Sequence, residues 1–340
     1  MERQGRKKFL KYLPFFIVLP IITAILCIGV GKFPISVHNV LLAVIQGATG
    51  QDMGVSAAEY SVVVNLRLPR VLLAILAGAS LTSAGCAFQA VFSNPLAAPD
   101  TLGVSAGAGF GACLGLLLDL PSLTTQSFAF IGGILAVMLT FLVSKTDHGS
   151  NPVTLILGGM AISALFQAGI SMIQMLADPT ETLPEITFWL MGSLSRANYS
   201  SLLWATPFSL IGIITLLVLR WRLNTLSLDE TEATSLGIPV KKLRAAVVVS
   251  ATFCTATTIS QCGMIGWLGI LAPHGARMLL GNDNRYVLPA SISIGITALI
   301  VMDTLSRNLV SGVLPISVLT ALVGAPIFII LLRKTGGFHV

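Results

Sequence analysis

The chain has 340 residues and a net charge of +6, with 54% hydrophobic and only 10% charged residues. A soluble protein of this length would need more polar surface than this composition supplies, which excludes an ordinary soluble enzyme. The excess positive charge is spread over short connectors, so it does not indicate a nucleic-acid-binding surface. We therefore predict an all-α integral membrane protein, because a helix satisfies its own backbone hydrogen bonds in lipid.

Ten apolar stretches of about bilayer-spanning length predict ten transmembrane helices. They lie near residues 13–31, 68–91, 102–118, 127–144, 153–177, 200–219, 243–262, 264–280, 287–305 and 314–332. The longest connectors, 32–66 and 220–242, are too short for a separate soluble domain. Residues 1–340 are thus predicted to form one transmembrane domain.

The distribution of Lys and Arg predicts the topology, because cytoplasmic connectors are enriched in both residues. Most basic residues fall before the first span, around the sixth and seventh, and after the tenth. Ten spans then place both termini in the cytoplasm. No small-residue cleavage site follows the first span, so we expect it to be retained. Arg67, Arg70, Arg196 and Arg307 fall on the opposite, outer side and require another explanation.

The fifth span carries a polar stripe. Its members recur at helical spacing and fall within an arc of about 80°. They are Met160, Ser163, Gln167, Ser171 and Gln174. Such side chains either make hydrogen bonds between packed helices or line a substrate path, and the periodicity leaves both interpretations open.

The connector after the sixth span indicates short helices on the inner face. Ser227 and Glu230 fit a capping box, and Asp229 suits the positive end of a helix dipole. Gly237 can end the first helix and Pro239 can begin the next. Its apolar side would consist of Leu228, Ala233 and Leu236. The segment is either a plain amphipathic connector or a docking surface for a cytoplasmic partner.

Several kinds of chemistry are absent from the sequence. It contains no phosphate-binding loop, no His-Glu-x-x-His motif and no candidate nucleophile–base pair, so we predict no catalytic residue, metal or cofactor. Asp303 and Arg307 are four residues apart and can pair along one helix. The polar stripe has no ionisable group, which argues against an ion-coupled secondary transporter.

Several motifs, in order along nearly the whole chain, carry a resemblance to a known family. They are Arg67-Leu68-Pro69-Arg70, Asn94-Pro95-Leu96-Ala97-Ala98-Pro99, Pro273-His274-x-x-Arg277, Asp303-x-x-x-Arg307 and Gly324-Ala325-Pro326. Together they resemble the FecCD-type permeases of bacterial ABC importers for iron chelates, haem and vitamin B12. The family's Glu-x-Pro-x-Gly before the last span reads Val313-Leu314-Pro315-Ile316-Ser317 here, and Trp267 replaces a usual Phe.

The resemblance implies a ten-helix subunit of the bacterial inner membrane with short cytoplasmic coupling helices. Its partners would be a second permease subunit, identical or paralogous, two cytoplasmic ATPase subunits and an extracytoplasmic substrate-binding protein. The substrate path would lie at the interface of the two permeases, lined by the fifth and tenth spans. We expect a ferric siderophore as substrate, with haem or cobalamin as the alternative within the family.

The resemblance also assigns roles to residues. The residues that would dock the binding protein are Arg67, Arg70 and Arg307. The translocation pathway would be lined by Met160, Ser163, Gln167, Ser171 and Gln174. The inner gate region would comprise Ser150, Asn151, Pro152, Val153 and Thr154. The segment that couples to the ATPase would comprise Ser227, Asp229, Glu230, Ala233, Leu236, Gly237, Ile238 and Pro239.

Overall fold

A computed structural model describes residues 2–145, 152–228, 230–235, 237–309, 312 and 314–335. All regular structure in these residues is helical, which confirms the all-α prediction. The helices are α1 (Glu2–Gly29), α2 (Val37–Thr49), α3 (Ala57–Tyr60), α4 (Leu68–Val91), α5 (Val104–Leu117), α6 (Ser122–Val143), α7 (Pro152–Leu176), α8 (Thr182–Leu190), α9 (Tyr199–Leu219), α10 (Glu230–Ser235), α11 (Val240–Cys262), α12 (Leu268–Leu280), α13 (Asn284–Asn308) and α14 (Ile316–Thr335). A π-helical turn (Ser61–Arg67) precedes α4, and a 3-10 turn (Arg222–Ser227) follows α9.

Each of the ten predicted spans overlaps one helix. Seven helical segments of the described chain are long and apolar enough to cross a membrane. They are Lys7–Gly29, Ala57–Val91, Ser122–Val143, Pro152–Leu176, Tyr199–Leu219, Val240–Cys262 and Asn284–Asn308. The helices α5, α12 and α14 occupy the other three predicted spans but are shorter or less apolar, so the number of crossings stays a prediction. Following the predicted topology, we call the end that carries residues 220–239 the inner end and the opposite end the outer end.

Burial places α4 and α11 at the centre of the bundle. The most apolar windows of the Ala57–Val91 and Val240–Cys262 segments are 83% and 78% buried, whereas that of α1 is 17% buried. Small residues permit this close packing: a Cβ atom on Gly85 of α4 would lie 1.9 Å from the carbonyl oxygen of Gly269 in α12. Without a hydrophobic driving force between helices in lipid, such backbone approach supplies much of the packing energy.

Two parts of the outer end were not predicted as helices. The connector 32–66 contains α2, α3 and the π turn, and α8 lies between α7 and α9. Ser36 caps the start of α2, and Gly50 ends it in a left-handed conformation with φ 72°. The Asn39 side chain donates a hydrogen bond of 2.8 Å to Glu59, which joins α2 to α3. The outer end is therefore covered by ordered short helices rather than by an open loop.

Candidate functional site

Arg67 ties the outer end of α1 to α4. Its guanidinium donates hydrogen bonds to the carbonyl oxygens of Ile28 at 2.6 Å, Gly29 at 3.1 Å and Phe33 at 2.7 Å. These carbonyls follow or end α1, where backbone acceptors lack helical partners. The π turn places Arg67 at this position, as such turns often do at functional sites. The side chain is buried, so it joins two segments of its own chain.

The other two predicted docking residues meet at one carboxylate. Arg70 Nε lies 2.6 Å from Asp303 Oδ1, and Arg307 Nε lies 3.3 Å from Asp303 Oδ2. The predicted pairing of Asp303 with Arg307 is thus confirmed. Arg307 also donates to the Cys27 carbonyl at 3.3 Å and to Thr304 Oγ1 at 3.2 Å. Two guanidinium groups therefore share one carboxylate that is 1% exposed.

This outer arginine cluster, defined as Arg67, Arg70, Asp303 and Arg307, keeps an excess of positive charge. It holds three cations and one anion. Arg70 Nη2 has no hydrogen-bond partner in the described part of the chain. An acidic partner at this end would meet complementary charge. Docking through these residues stays a prediction.

The polar stripe of α7 lies along the edge between the buried and the exposed sides of the helix. The buried face of α7 packs on α5 and α6 through Leu155, Gly158, Gly159, Ile162, Phe166, Ile170 and Ile173. Of the stripe residues, Met160 is 62% exposed, Gln167 and Ser171 are exposed, and Ser163 and Gln174 are partly buried. Three of the five members are therefore exposed in this subunit, and their role in a translocation path stays a prediction.

Hydrogen bonding separates the two interpretations of the stripe within one subunit. Ser171 Oγ donates to the Gln167 carbonyl of the same helix at 3.1 Å. Among the described residues, no hydrogen bond joins any stripe side chain to another helix. Hydrogen bonds between packed helices of this subunit therefore do not explain the stripe. Leu165 is also 64% exposed, so exposure alone does not distinguish a path from a surface that meets lipid or a partner.

Only part of the predicted inner gate region is described. Ser150 and Asn151 lie outside the described residues. Pro152 is the first residue of α7, Val153 is exposed, and the Thr154 carbonyl accepts a 2.8 Å hydrogen bond from Ser144 Oγ. This bond fixes the start of α7 against the end of α6.

The predicted coupling segment begins at the last residue of the 3-10 turn and contains α10. Ser227 ends the 3-10 turn, Glu230 begins α10, and Asp229 and Leu236 lie outside the described residues. Ala233 is 1% exposed and anchors the segment to the core.

The end of the coupling segment departs from the predicted pair of helices. Gly237 adopts φ 74°, and the Ile238 amide donates to the Ala233 carbonyl at 3.2 Å, which closes the end of α10. Pro239 directly precedes the long helix α11 rather than a second short helix. Proline fits there because the first amides of a helix have no helical acceptor.

A cavity of about 640 Å³, with several polar residues in its lining, lies behind the coupling segment, between the 3-10 turn, the end of α4 and the ends of α12 and α13. Arg277 donates to the Gln89 side-chain carbonyl and, at 3.5 Å, to Asn284 Oδ1. Asn224 of the 3-10 turn donates to Asp283 at 2.8 Å and accepts from the Asn284 amide at 2.8 Å. The 3-10 turn is therefore hydrogen-bonded to the first residues of α13.

Asp283 caps α13 and remains ionised at this junction. Its carboxylate accepts a hydrogen bond from the Arg285 amide and pairs with the Arg285 guanidinium at 2.7 Å. Burial alone would raise the pKa of Asp283, but hydrogen bonds from Arg285 and Asn224 hold it below its usual value. The sequence did not indicate this contact, since Asn224 and Asp283 are far apart along the chain.

Comparisons with known proteins agree with this arrangement. Residues 18–334 match the profile of the FecCD transport family. The chain is 39% identical to the molybdate import system permease protein of Haemophilus influenzae over 93% of its own length and 94% of the relative. It is 35% identical to the Fe(3+)-citrate import system permease protein of Bacillus subtilis over 98% of both chains.

A comparison with a solved structure agrees with these sequence comparisons. A chain classed as a metal-chelate type ABC transporter, in an inward-facing conformation, superposes with a TM-score of 0.86 at 35% identity. The superposition covers 95% of this chain and 99% of the solved one. The arrangement of helices described above is thus shared with this solved chain over nearly its full length.

Proposed function

Because this chain belongs to the FecCD transport family and is the permease subunit of an ABC importer, we propose that it moves ferric siderophores across the membrane by alternating access. The observation that carries the proposal is the polar stripe of α7, which is exposed at Met160, Gln167 and Ser171 and has no side-chain hydrogen bond to another helix within the described chain. A path built from such a stripe is complete only when a second subunit faces it.

The partners proposed for this subunit follow from its three surfaces. A second permease, identical or paralogous, would cover α7 and α14. Two cytoplasmic ATPase subunits would contact the coupling segment, and an extracytoplasmic binding protein would meet the outer arginine cluster. The subunit would then lie in a bacterial inner membrane with both termini in the cytoplasm. Alternating access would follow from movement of the coupling segment when ATP is bound and hydrolysed by the partners.

The absence of fixed charge on the proposed path supports a chelate as substrate. Neither α7 nor the apolar part of α14, Ile316–Ile330, contains a charged residue in its sequence. A small oxyanion that leaves water needs strong compensating donors or cations, whereas an organic chelate shields its own metal charge. Haem and cobalamin are shielded in the same way and stay alternatives. Molybdate is a second candidate substrate, because the Haemophilus influenzae relative is named as a molybdate import permease.

Transport in proteoliposomes tests this proposal. The permease is reconstituted with its ATPase and binding protein, and uptake of a radioactive ferric siderophore is measured beside molybdate, haem and cobalamin. We expect ATP-dependent uptake of the siderophore, and no uptake when the ATPase subunit is catalytically inactive. Uptake of molybdate alone would contradict the proposed siderophore substrate. Uptake that persists without ATP hydrolysis would contradict the proposed ATP-driven mechanism.

A substitution at the end of α10 tests coupling. Gly237→Val places a β-branched residue at φ 74°, which costs about 1–3 kcal/mol and disturbs the turn after α10. We expect ATP hydrolysis by the assembled complex to persist while transport falls. Gly50→Val is the matched control, because Gly50 has φ 72° and, like Gly237, open space where a Cβ would lie, but it is at the outer end. Equal transport by both variants would indicate that the segment is a plain amphipathic connector rather than a coupling surface.

Charge removal at the outer arginine cluster tests docking. Arg307→Gln is expected to weaken binding of the substrate-binding protein about tenfold or more, because a desolvated charge pair would lose one partner. Arg196→Gln removes an arginine of the outer end that lies outside the cluster and should leave affinity unchanged. Affinity is measured by titration of the purified complex, after melting has shown that each variant is folded. Equal affinities for the two variants would contradict docking at the cluster.

A further inference from the structure

A groove near the inner end, remote from α7, has no role in the transport proposed above. It has a volume of about 650 Å³ and lies between α1, α9 and α13. Its walls are apolar, with Phe9, Ile214, Leu217, Val218 and Pro289 among the lining residues. Ile214 is 55% exposed and Val218 is 75% exposed. In a membrane-spanning bundle, such exposed aliphatic walls face lipid acyl chains.

The inner rim of this groove is basic and aromatic. Arg285 is neutralised by Asp283, with Nη2 and Oδ2 2.7 Å apart, and its guanidinium lies 5.7 Å from the centre of the Tyr286 ring. Arg220 follows the last residue of α9 and is exposed. No acidic side chain of the described chain pairs with Arg220. The groove thus has one uncompensated guanidinium at its inner rim.

The side chains around Arg220 are typical of a membrane interface. Trp221 is 64% exposed, and the Tyr286 ring packs against Phe9 with ring centroids 5.2 Å apart. Trp and Tyr concentrate where the headgroups of a bilayer begin. Lys7, Lys8 and Lys11 on the first turns of α1 add positive charge on the same side of the bundle. The groove therefore combines an apolar wall at acyl-chain depth with a cation at headgroup depth.

We propose that this groove is a binding site for one anionic diacyl phospholipid. The phosphodiester would accept hydrogen bonds from Arg220, whose guanidinium fits the geometry of phosphate oxygens. An acyl chain would lie along Ile214, Leu217 and Val218. Basic sites between transmembrane helices on the side of the positive connectors recognise lipid headgroups in this way. The site would anchor α1 against α9 and α13, independently of the substrate path.

Native mass spectrometry of the assembled transporter, released from nanodiscs, tests the site. The nanodiscs contain phosphatidylglycerol or phosphatidylcholine with identical acyl chains. We expect one phosphatidylglycerol per permease to be retained preferentially. Arg220→Gln should reduce this retention about fivefold, since one basic residue near the surface contributes about 1 kcal/mol. Arg222→Gln removes a neighbouring exposed cation that does not line the groove and should retain the lipid. Equal losses in both variants would indicate general attraction to the surface and overturn the site.

Two further measurements identify the bound molecule. Val218→Trp narrows the groove without a change of charge and should reduce retention, because it occupies the place of the acyl chain. Inorganic phosphate and the deacylated headgroup, added in detergent, should not raise the melting temperature as phosphatidylglycerol does. If inorganic phosphate protects as well as the lipid, or if Val218→Trp retains as much lipid as the unaltered chain, the groove is not a phospholipid site.

Discussion

Asp303→Ala is expected to lower the free energy of unfolding by about 3–5 kcal/mol, because it leaves the buried Arg70 and the partly buried Arg307 without their shared anion. Asp303 is 1% exposed and lies 2.6 Å from Arg70 and 3.3 Å from Arg307. The repulsion between the two guanidinium groups would then be uncompensated. The effect is measured by titration of SDS into detergent-solubilised protein, with helix content followed by circular dichroism.

Two controls separate the charge from the shape of this side chain. Asp303→Asn keeps the shape and a carbonyl acceptor for Arg70 but removes the charge, so it isolates the electrostatic part. Asp52→Ala removes an exposed carboxylate at the same end of the bundle and should change stability little. An Asp303→Ala variant as stable as Asp52→Ala would contradict the assignment of the cluster as a single buried ionic unit.

The bilayer imposes a strong length and hydropathy signal, which is why every predicted span overlaps a helix. The short outer helices lack the length part of this signal. The ends of α2 carry an N-terminal Ser36 and a C-terminal Gly50, but its buried residues are only Val40 and Ala43. The helix is apolar, but its 13 residues extend only about 20 Å, which is too short for a bilayer span.

The second predicted span begins where α4 begins, at Leu68, but the continuous helical segment starts earlier along the chain. Pro69 lacks an amide hydrogen and usually indicates the first turn of a helix. The chain is nevertheless helical from Ala57 to Val91, because a π turn precedes the proline and the Leu68 amide donates to the Val63 carbonyl five residues earlier. The π turn has no sequence signature that hydropathy detects, yet it is the element that presents Arg67.

Pairings across the fold were likewise beyond the sequence. The spacing of four residues predicted the contact between Asp303 and Arg307, whereas the contact between Arg70 and Asp303 spans 233 positions. Both contacts lie on α13, whose first residue, Asn284, is hydrogen-bonded to the 3-10 turn before α10. A helix of this length extends about 36 Å. One rigid element thus connects the proposed coupling segment to the proposed docking cluster.

Cysteine labelling of α7 is expected to decide whether the polar stripe lines the path. After replacement of the native cysteines, single cysteines are introduced at Met160, Ser163, Gln167, Ser171 and Gln174. Small hydrophilic thiol reagents should reach them in the assembled transporter, because a path that opens alternately is filled with water in at least one state. Ile173, 5% exposed, should stay unlabelled in every state.

The dependence on nucleotide distinguishes a path from an ordinary exposed surface. Met160 and Gln174 lie near opposite ends of the stripe, so alternating access should expose one as it closes the other when ATP is added. Leu165 is exposed in the single subunit but points away from the stripe, which makes it the control for a surface that faces lipid. If a cysteine at Leu165 reacts while those at Gln167 and Ser171 stay unlabelled in every nucleotide state, the path lies elsewhere. The stripe would then be an interface whose polar side chains bond to the second subunit.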